Sequence, residues 1–143
     1  MYINAIDYQV KMYIDKQDVL NEAAAKGDIA FYKRLTENNY PVRVRTQLGW
    51  DALIIACYHN QTEFVVTLLQ DGWDVDSCNY KGTSALMYAM TTASKIDRID
   101  ILVEMQKFNP NWQWKDDTGK NIFEYAQLYG NQQVINYIKQ FNQ

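Results

Sequence analysis

Apolar and polar positions along this chain fall into blocks that come back on themselves. The segment Asp18-Val19-Leu20-Asn21-Glu22-Ala23 is echoed by Asp51-Ala52-Leu53-Ile54-Ile55-Ala56, by Ser84-Ala85-Leu86-Met87-Tyr88-Ala89 and by Asn121-Ile122-Phe123-Glu124-Tyr125-Ala126. The polar residue opening each block recurs at steps of 33, 33 and 37 residues. An Asp, Ser or Asn there offers a side-chain oxygen to an unpaired N–H at a helix start, so each block predicts a helix N-terminus. A large apolar residue follows (Leu20, Leu53, Leu86, Phe123), and then an alanine (Ala23, Ala56, Ala89, Ala126). The first set can fill a core; the second lets a neighbouring helix approach closely.

A second apolar series keeps the same bookkeeping. Phe31, Phe64, Ile101 and Val134, each paired with an apolar residue four places on (Leu35, Leu68, Met105, Ile138), predict a second helix in every unit. Asn39, Gly72 and Asn109 follow it, and these residue types best tolerate the left-handed backbone that closes a helix. Gly49, Gly82 and Gly119 come ten residues later, after stretches of turn and extended character such as Tyr40-Pro41-Val42-Arg43-Val44. Each unit therefore reads as helix, tight turn, helix and extended finger. The odd step of 37 is traced to four residues between Ala89 and Ile101, read as a longer turn between the two helices of the third unit.

The repeats divide the chain at about 18–48, 49–81, 82–118 and 119–143, all within one domain. Ahead of them, Ile3, Ile6, Val10 and Tyr13 follow helical spacing, which predicts an amphipathic capping helix over 2–16. It can serve as a fixed lid on the first repeat or as a detachable partner-binding element. At the other end, Glu124, Gln127, Gln132, Gln133 and Asn136 can supply the polar outer face that a terminal solenoid unit needs.

These motifs resemble the ankyrin repeat. Gly82-Thr83-Ser84-Ala85-Leu86-Met87-Tyr88-Ala89 is similar to the family's Gly-x-Thr-Pro-Leu-His-x-Ala opening, and Glu63 to Asp76 is similar to its second helix and Gly-Ala-Asp-Val-Asn exit. The chain departs from the pattern by lacking the Thr-Pro pair and by carrying Ile54, Met87 and Glu124 in place of His. The resemblance implies an all-α solenoid of four helix-turn-helix units with short β-turn fingers. It also implies a concave face, made of finger tips and first-helix ends, that binds a protein partner. Carried over position by position, this selects Gln47, Leu48, Trp50, Tyr58 and His59 in the second unit. In the third it selects Tyr80, Lys81, Thr83, Thr91 and Thr92, and in the fourth Asp117, Lys120 and Tyr129, with Thr118 and Leu128 beside them. Trp112 and Trp114 alternate along the third finger, so that one packs inward while Trp114 joins the candidate contacts; Trp73 stands at an ordinarily small position.

Composition narrows the alternatives. The chain has 143 residues, 48% of them apolar, and 14 basic against 17 acidic residues give a net charge of −3. That balance supplies no general attraction to phosphate backbones, so nucleic acid is not an expected partner. The start has no basic region followed by an apolar run, and no stretch is apolar enough to span a bilayer. Two cysteines do not make a disulfide framework in a chain this size and fit a cytoplasmic setting; the protein is expected to be a monomer when free of its partner. Lys33, Arg34, Arg43 and Arg45 form the one basic concentration, readable as a solvated face or as a patch for an acidic protein surface.

Chemistry finds little to work with. A lone His59 makes a metal site improbable, and no cofactor motif appears. Cys57 and His59 are two residues apart on a helix, about 200° around it, which turns them away from each other. Asp74/Asp76 and Asp116/Asp117 read as solvated turn carboxylates, and no catalytic residue is assigned. The sequence therefore predicts a non-enzymatic protein-binding module that inhibits or neutralises its partner, in the manner of an immunity protein. An adaptor subunit is the alternative within binding, and a cysteine-dependent enzyme acting through Cys78 the alternative outside it.

Overall fold

The computed structural model describes residues 19–142. The expected helix at 2–16 and the Asp18 cap lie outside them. Helical residues 19–26 (α1) are followed by α2 (Ile29–Glu37), α3 (Ala52–Tyr58), α4 (Thr62–Gln70), α5 (Ala85–Ile96), α6 (Asp100–Gln106), α7 (Ile122–Tyr129) and α8 (Gln132–Ile138). A 3-10 turn, Lys139–Phe141, ends the series. First helices stack on first helices, α3 on α5 and α5 on α7, while α2 packs on α4 and α4 on α6.

The predicted caps are made. Asp51 accepts a hydrogen bond from the Ile54 N–H at 2.9 Å, Ser84 from Met87 at 3.1 Å and Asn121 from Glu124 at 3.0 Å. The second helices are started less uniformly: Asp28 and Asn131 cap α2 and α8, whereas α4 and α6 begin without a side-chain cap. The helix-closing positions Asn39, Gly72 and Asn109 all adopt positive φ, at 60°, 89° and 58°. The turns inside each helix pair add a series of their own, Gly27, Asn60, Asp97 and Gly130, with φ from 56° to 77°.

That second series relocates the four extra residues. Asp97, not a residue nearer Ala89, takes the left-handed place, so the insertion lengthens α5 and leaves the turn unchanged. α5 has 12 residues against 7 in α3 and 8 in α7, making it about 18 Å long where α3 is about 10 Å. The sequence reading of a longer turn is corrected accordingly. Helix wins because Met90-Thr91-Thr92-Ala93-Ser94-Lys95 has no Gly or Pro to break it, and Ala93 is fully buried. Asn131 pins the extension from the next unit, donating to the Ser94 carbonyl at 2.9 Å and to Asp97 at 3.1 Å.

The core follows the two series. Leu20, Leu53 and Leu86 are buried, as are all four repeat alanines, Ala23, Ala56, Ala89 and Ala126. Two expected core residues differ. Phe123 is half-buried, and Ile122 takes the interior place in the fourth unit. In the first unit Tyr32 is the buried aromatic, and Phe31 lies at the edge beneath the Arg34 guanidinium at 5.5 Å. The chain end closes the stack: Phe141 lies flat on the buried Trp112 ring at 4.4 Å, and its carbonyl accepts from Gln113.

The fingers are tight loops closed by backbone bonds. Among the described residues there are no extended strands, and isolated antiparallel bridges join Cys78 to Ser84 and Lys115 to Asn121. Successive fingers are laced together where the Leu48 carbonyl accepts from the Tyr80 N–H and the Lys81 carbonyl from the Asp117 N–H, at 3.2 and 3.1 Å. Two glycines make this approach feasible. A Cβ on Gly49 would come within 2.7 Å of the Tyr80 ring and backbone, and one on Gly82 within 2.7 Å of the Asp117 carboxylate. Both also hold positive φ, so side chains are excluded on two grounds.

Candidate functional site

One residue sets the shape of each finger. Thr46, Asn79 and Asp116 stand at its head, and each side chain folds back onto the loop. Asn79 Oδ1 accepts from the Lys81 and Thr83 N–H groups, both at 3.0 Å, and Asp116 does the same for Thr118 and Lys120. These head residues then reach the first helices. The Asn79 amide donates to the Tyr88 hydroxyl at 3.0 Å, and the Tyr125 hydroxyl donates to the Asp116 carboxylate. Those bonds, with the one from Thr118, hold the Asp116 carboxyl below its ordinary range against the opposing effect of burial. The sequence reading passed over Asn79, Tyr88 and Tyr125. Their repeat spacing was visible, since Asn79 and Asp116, and Tyr88 and Tyr125, are each related by the third-unit step of 37.

Trp50, Tyr58 and Tyr88 form an aromatic cluster on the face made by fingers and first helices. Trp50 lies 4.6 Å from Tyr88 and 5.5 Å from Tyr58 between ring centroids, and Tyr58 and Tyr88 are 6.2 Å apart. Tilted and edge-on pairs at such separations are the favoured aromatic geometries. Beside the cluster runs a groove of about 300 Å³, lined from α3 by Tyr58, from the second finger by Thr83, from α5 by Met87, Tyr88, Thr91 and Lys95, and from α7 by Tyr125 and Tyr129. A second concavity of about 620 Å³ lies on the other side of Trp50, between α1 and the first finger, where Gln47 and Leu48 line it.

The structure thus brings Trp50, Tyr58, Thr83, Thr91 and Tyr129 to one continuous surface. Leu48, Tyr80 and Leu128 stand beside them as its most exposed apolar side chains, at 66%, 67% and 74% exposure. Gln47, Lys81, Asp117, Thr118 and Lys120 occupy exposed finger tips. His59 is exposed at the end of α3, edge-on to Tyr58, and the Thr92 hydroxyl is spent on the Tyr58 carbonyl. Trp114 is half-buried, its indole N–H donating to the Gly82 carbonyl at 2.8 Å, which leaves it bracing the second and third fingers.

Within the basic concentration the two finger arginines make internal bonds, while Lys33 and Arg34 are exposed on α2. Arg45 donates to the Gly49 and Cys78 carbonyls, both at 2.6 Å, and approaches the buried Asp51. Arg43 donates to the Asp71 carbonyl and lies 5.1 Å over the buried Trp73 ring. Cys57 and Cys78 form no disulfide. Cys57 is fully buried, where desolvation pushes its thiol far above the usual range, and burial raises Cys78 as well, with Arg45 opposing. High-pKa thiols are poor nucleophiles. Among the described residues no cluster of His, Cys, Asp and Glu could hold a metal ion, and no helix is long and apolar enough to cross a membrane.

The repeated helix pairs, left-handed closures and laced fingers meet an independent match: the family model for ankyrin repeats, in three copies, covers residues 20–111. The chain belongs to the ankyrin repeat family. It is 38% identical over 69 residues to mouse ankyrin repeat domain-containing protein 40 and 36% identical over the same length to the human protein. These matches take in 48% of the chain but only 19% of either relative. Ankyrin repeats generally mediate protein–protein interaction and are typically not enzymes.

Proposed function

We propose that this ankyrin protein is a non-enzymatic binding module that engages a protein partner through the face carrying Trp50, Tyr58, Tyr80, Leu48 and Tyr129, and inhibits that partner by covering its working surface. The observation that carries the reading is where exposed apolar area collects. Leu48, Tyr58, Tyr80, Leu128 and Tyr129 are all exposed on finger tips or first-helix ends, beside an aromatic cluster centred on Trp50. Aromatic side chains give large contact area with few rotatable bonds, and they dominate interface energetics. The buried Cys57, its thiol pushed far up by desolvation, and Cys78, raised by partial burial against the opposing Arg45, favour binding over thiol chemistry, and two cysteines without a disulfide suit a cytoplasmic setting.

The test is affinity capture with the wild-type chain beside the Trp50→Ala/Tyr80→Ala double variant. The reading expects a protein retained by the wild type and lost by a variant whose circular dichroism is unchanged. Equal retention by both would refute the surface assignment. Assaying the captured partner then decides its mode: an inhibitor abolishes the partner's activity on binding, whereas an adaptor leaves it intact.

A further inference from the structure

The extra turn of α5 adds a charge to the lining of the groove. α3 stops at Tyr58 and α7 at Tyr129, but α5 runs on to Ile96 and so carries Lys95 into the lining. Lys95 is exposed and is the one charged residue among those lining this groove, which has no acidic member. The ion pairs among the described residues join Lys26 to Glu22, Arg45 to Asp51, Arg98 to Asp100 and Lys107 to Glu104. Lys95 takes part in none, as is true of Lys33, Lys81, Lys115 and Lys139 outside the groove. A second lysine, Lys120, stands at the finger side of the groove, 5.9 Å from the centre of the Tyr125 ring.

Tyr88 is fixed in the lining of the same groove: its phenol oxygen accepts from the Asn79 amide at 3.0 Å, and the Thr83 hydroxyl stands close enough to bond the same phenol. Lys95 lies seven residues further along the same helix, about 10 Å along its axis, which is the reach of about three residues of extended chain.

Resting on the reading of this face as the binding surface, we propose that the groove receives an acidic, extended segment of a protein partner. One carboxylate pairs with Lys95, and the segment runs on along α5 past the Tyr88 ring, about three residues away. The rings of Tyr58 and Tyr129 cover the segment from either side. The lengthened α5 is then a specificity element, since it adds an unpaired cation to the recognition face of a chain whose net charge is −3.

The probe is a displayed library of random dodecapeptides panned against the purified full chain, followed by fluorescence anisotropy on the enriched peptides. The proposal expects an excess of Asp and Glu over the naive library and affinities that fall as salt rises. Lys95→Gln should weaken binding about tenfold, as loss of one charge-assisted bond implies, with Lys95→Glu weaker still and Lys95→Arg close to wild type. Peptides that need Trp50 but show no acidic excess and ignore Lys95→Gln would overturn the acidic-segment proposal and leave the binding face standing. Acidic peptides indifferent to Trp50→Ala and Lys95→Gln would overturn both. Failure to enrich any peptide overturns the linear-segment proposal alone, because capture of a folded partner tests the face separately. A fluorescent 20-mer oligonucleotide bound more tightly than the peptides and released by Lys95→Gln would replace the protein segment with a phosphate backbone.

Discussion

Two aromatic clusters built from the same residue types face opposite fates in this molecule. On the second-helix side, Tyr32 and Trp73 are buried, at 1% and 6% exposure, with their polar tips closed on each other: the indole N–H donates to the Tyr32 hydroxyl at 3.1 Å, and that hydroxyl donates to Asp71 at 2.8 Å. Arg43 seals the ring face. On the finger side, Trp50 and Tyr88 are half-buried, Tyr58 is exposed, and the Trp50 indole N–H and Tyr58 hydroxyl make no hydrogen bond among the described residues. A buried polar tip must be paired to avoid its desolvation cost, whereas a tip at the rim can wait for a partner. Aromatic content alone therefore does not mark an interface; the state of the polar ends does.

The largest effect expected from breaking this contrast is on the closed cluster. Trp73→Ala should destabilise the protein by about 3–5 kcal/mol in urea unfolding, with affinity per folded molecule little changed. Next comes the open cluster: Trp50→Ala with Tyr80→Ala should cost more than about 2 kcal/mol of partner affinity by titration calorimetry, and less in stability than Trp73→Ala. If the finger-side pair instead costs more stability than Trp73, the two clusters have been assigned the wrong way round.

Tyr32→Phe removes one donor and one acceptor and strands the buried indole N–H, so about 1–3 kcal/mol of stability should be lost. Its pH signature sharpens the point. Burial, followed by the hydrogen bond to Asp71, pushes the Tyr32 phenol from 10.0 up to about 12. The folded state thus holds that proton more tightly than the unfolded chain does. Its contribution is fully present below pH 10 and is lost as pH rises toward about 12. The stability gap between wild type and Tyr32→Phe should close across that window in unfolding titrations. The smallest effect belongs to Tyr58→Phe, whose exposed hydroxyl makes no contact that holds the stack; its unfolding midpoint should stay within about 0.5 kcal/mol of wild type.

Much of the repeat was legible in the chain because its signals are local. An N-cap at Asp51, Ser84 or Asn121 and a left-handed closure at Asn39, Gly72 or Asn109 depend on a side chain and the backbone a few residues away. The candidate face was legible only in outline. Trp50, Tyr58 and Tyr129 were placed on it by repeat position, but Trp114 turned out to be tied to the Gly82 carbonyl, a residue 32 positions earlier. The bonds of the finger arginine were hidden for the same reason: Arg45 spends its donors on carbonyls of its own and the next finger, a geometry that no local pattern encodes.

Sequence by itself determined the period, the order of helices and fingers and most of the core, because helix capping, turn conformation and apolar periodicity act over a few residues; the exchange of Phe31 for Tyr32 and of Phe123 for Ile122 was left to packing. Tertiary structure decided what long-range packing alone can decide. It placed the four extra residues in α5, where Ala93 could be buried and Asn131 could pin the turn, and so carried Lys95 into the groove. It also chose which aromatic tips are closed and which are left open, since each choice depends on the neighbour that the adjacent repeat supplies.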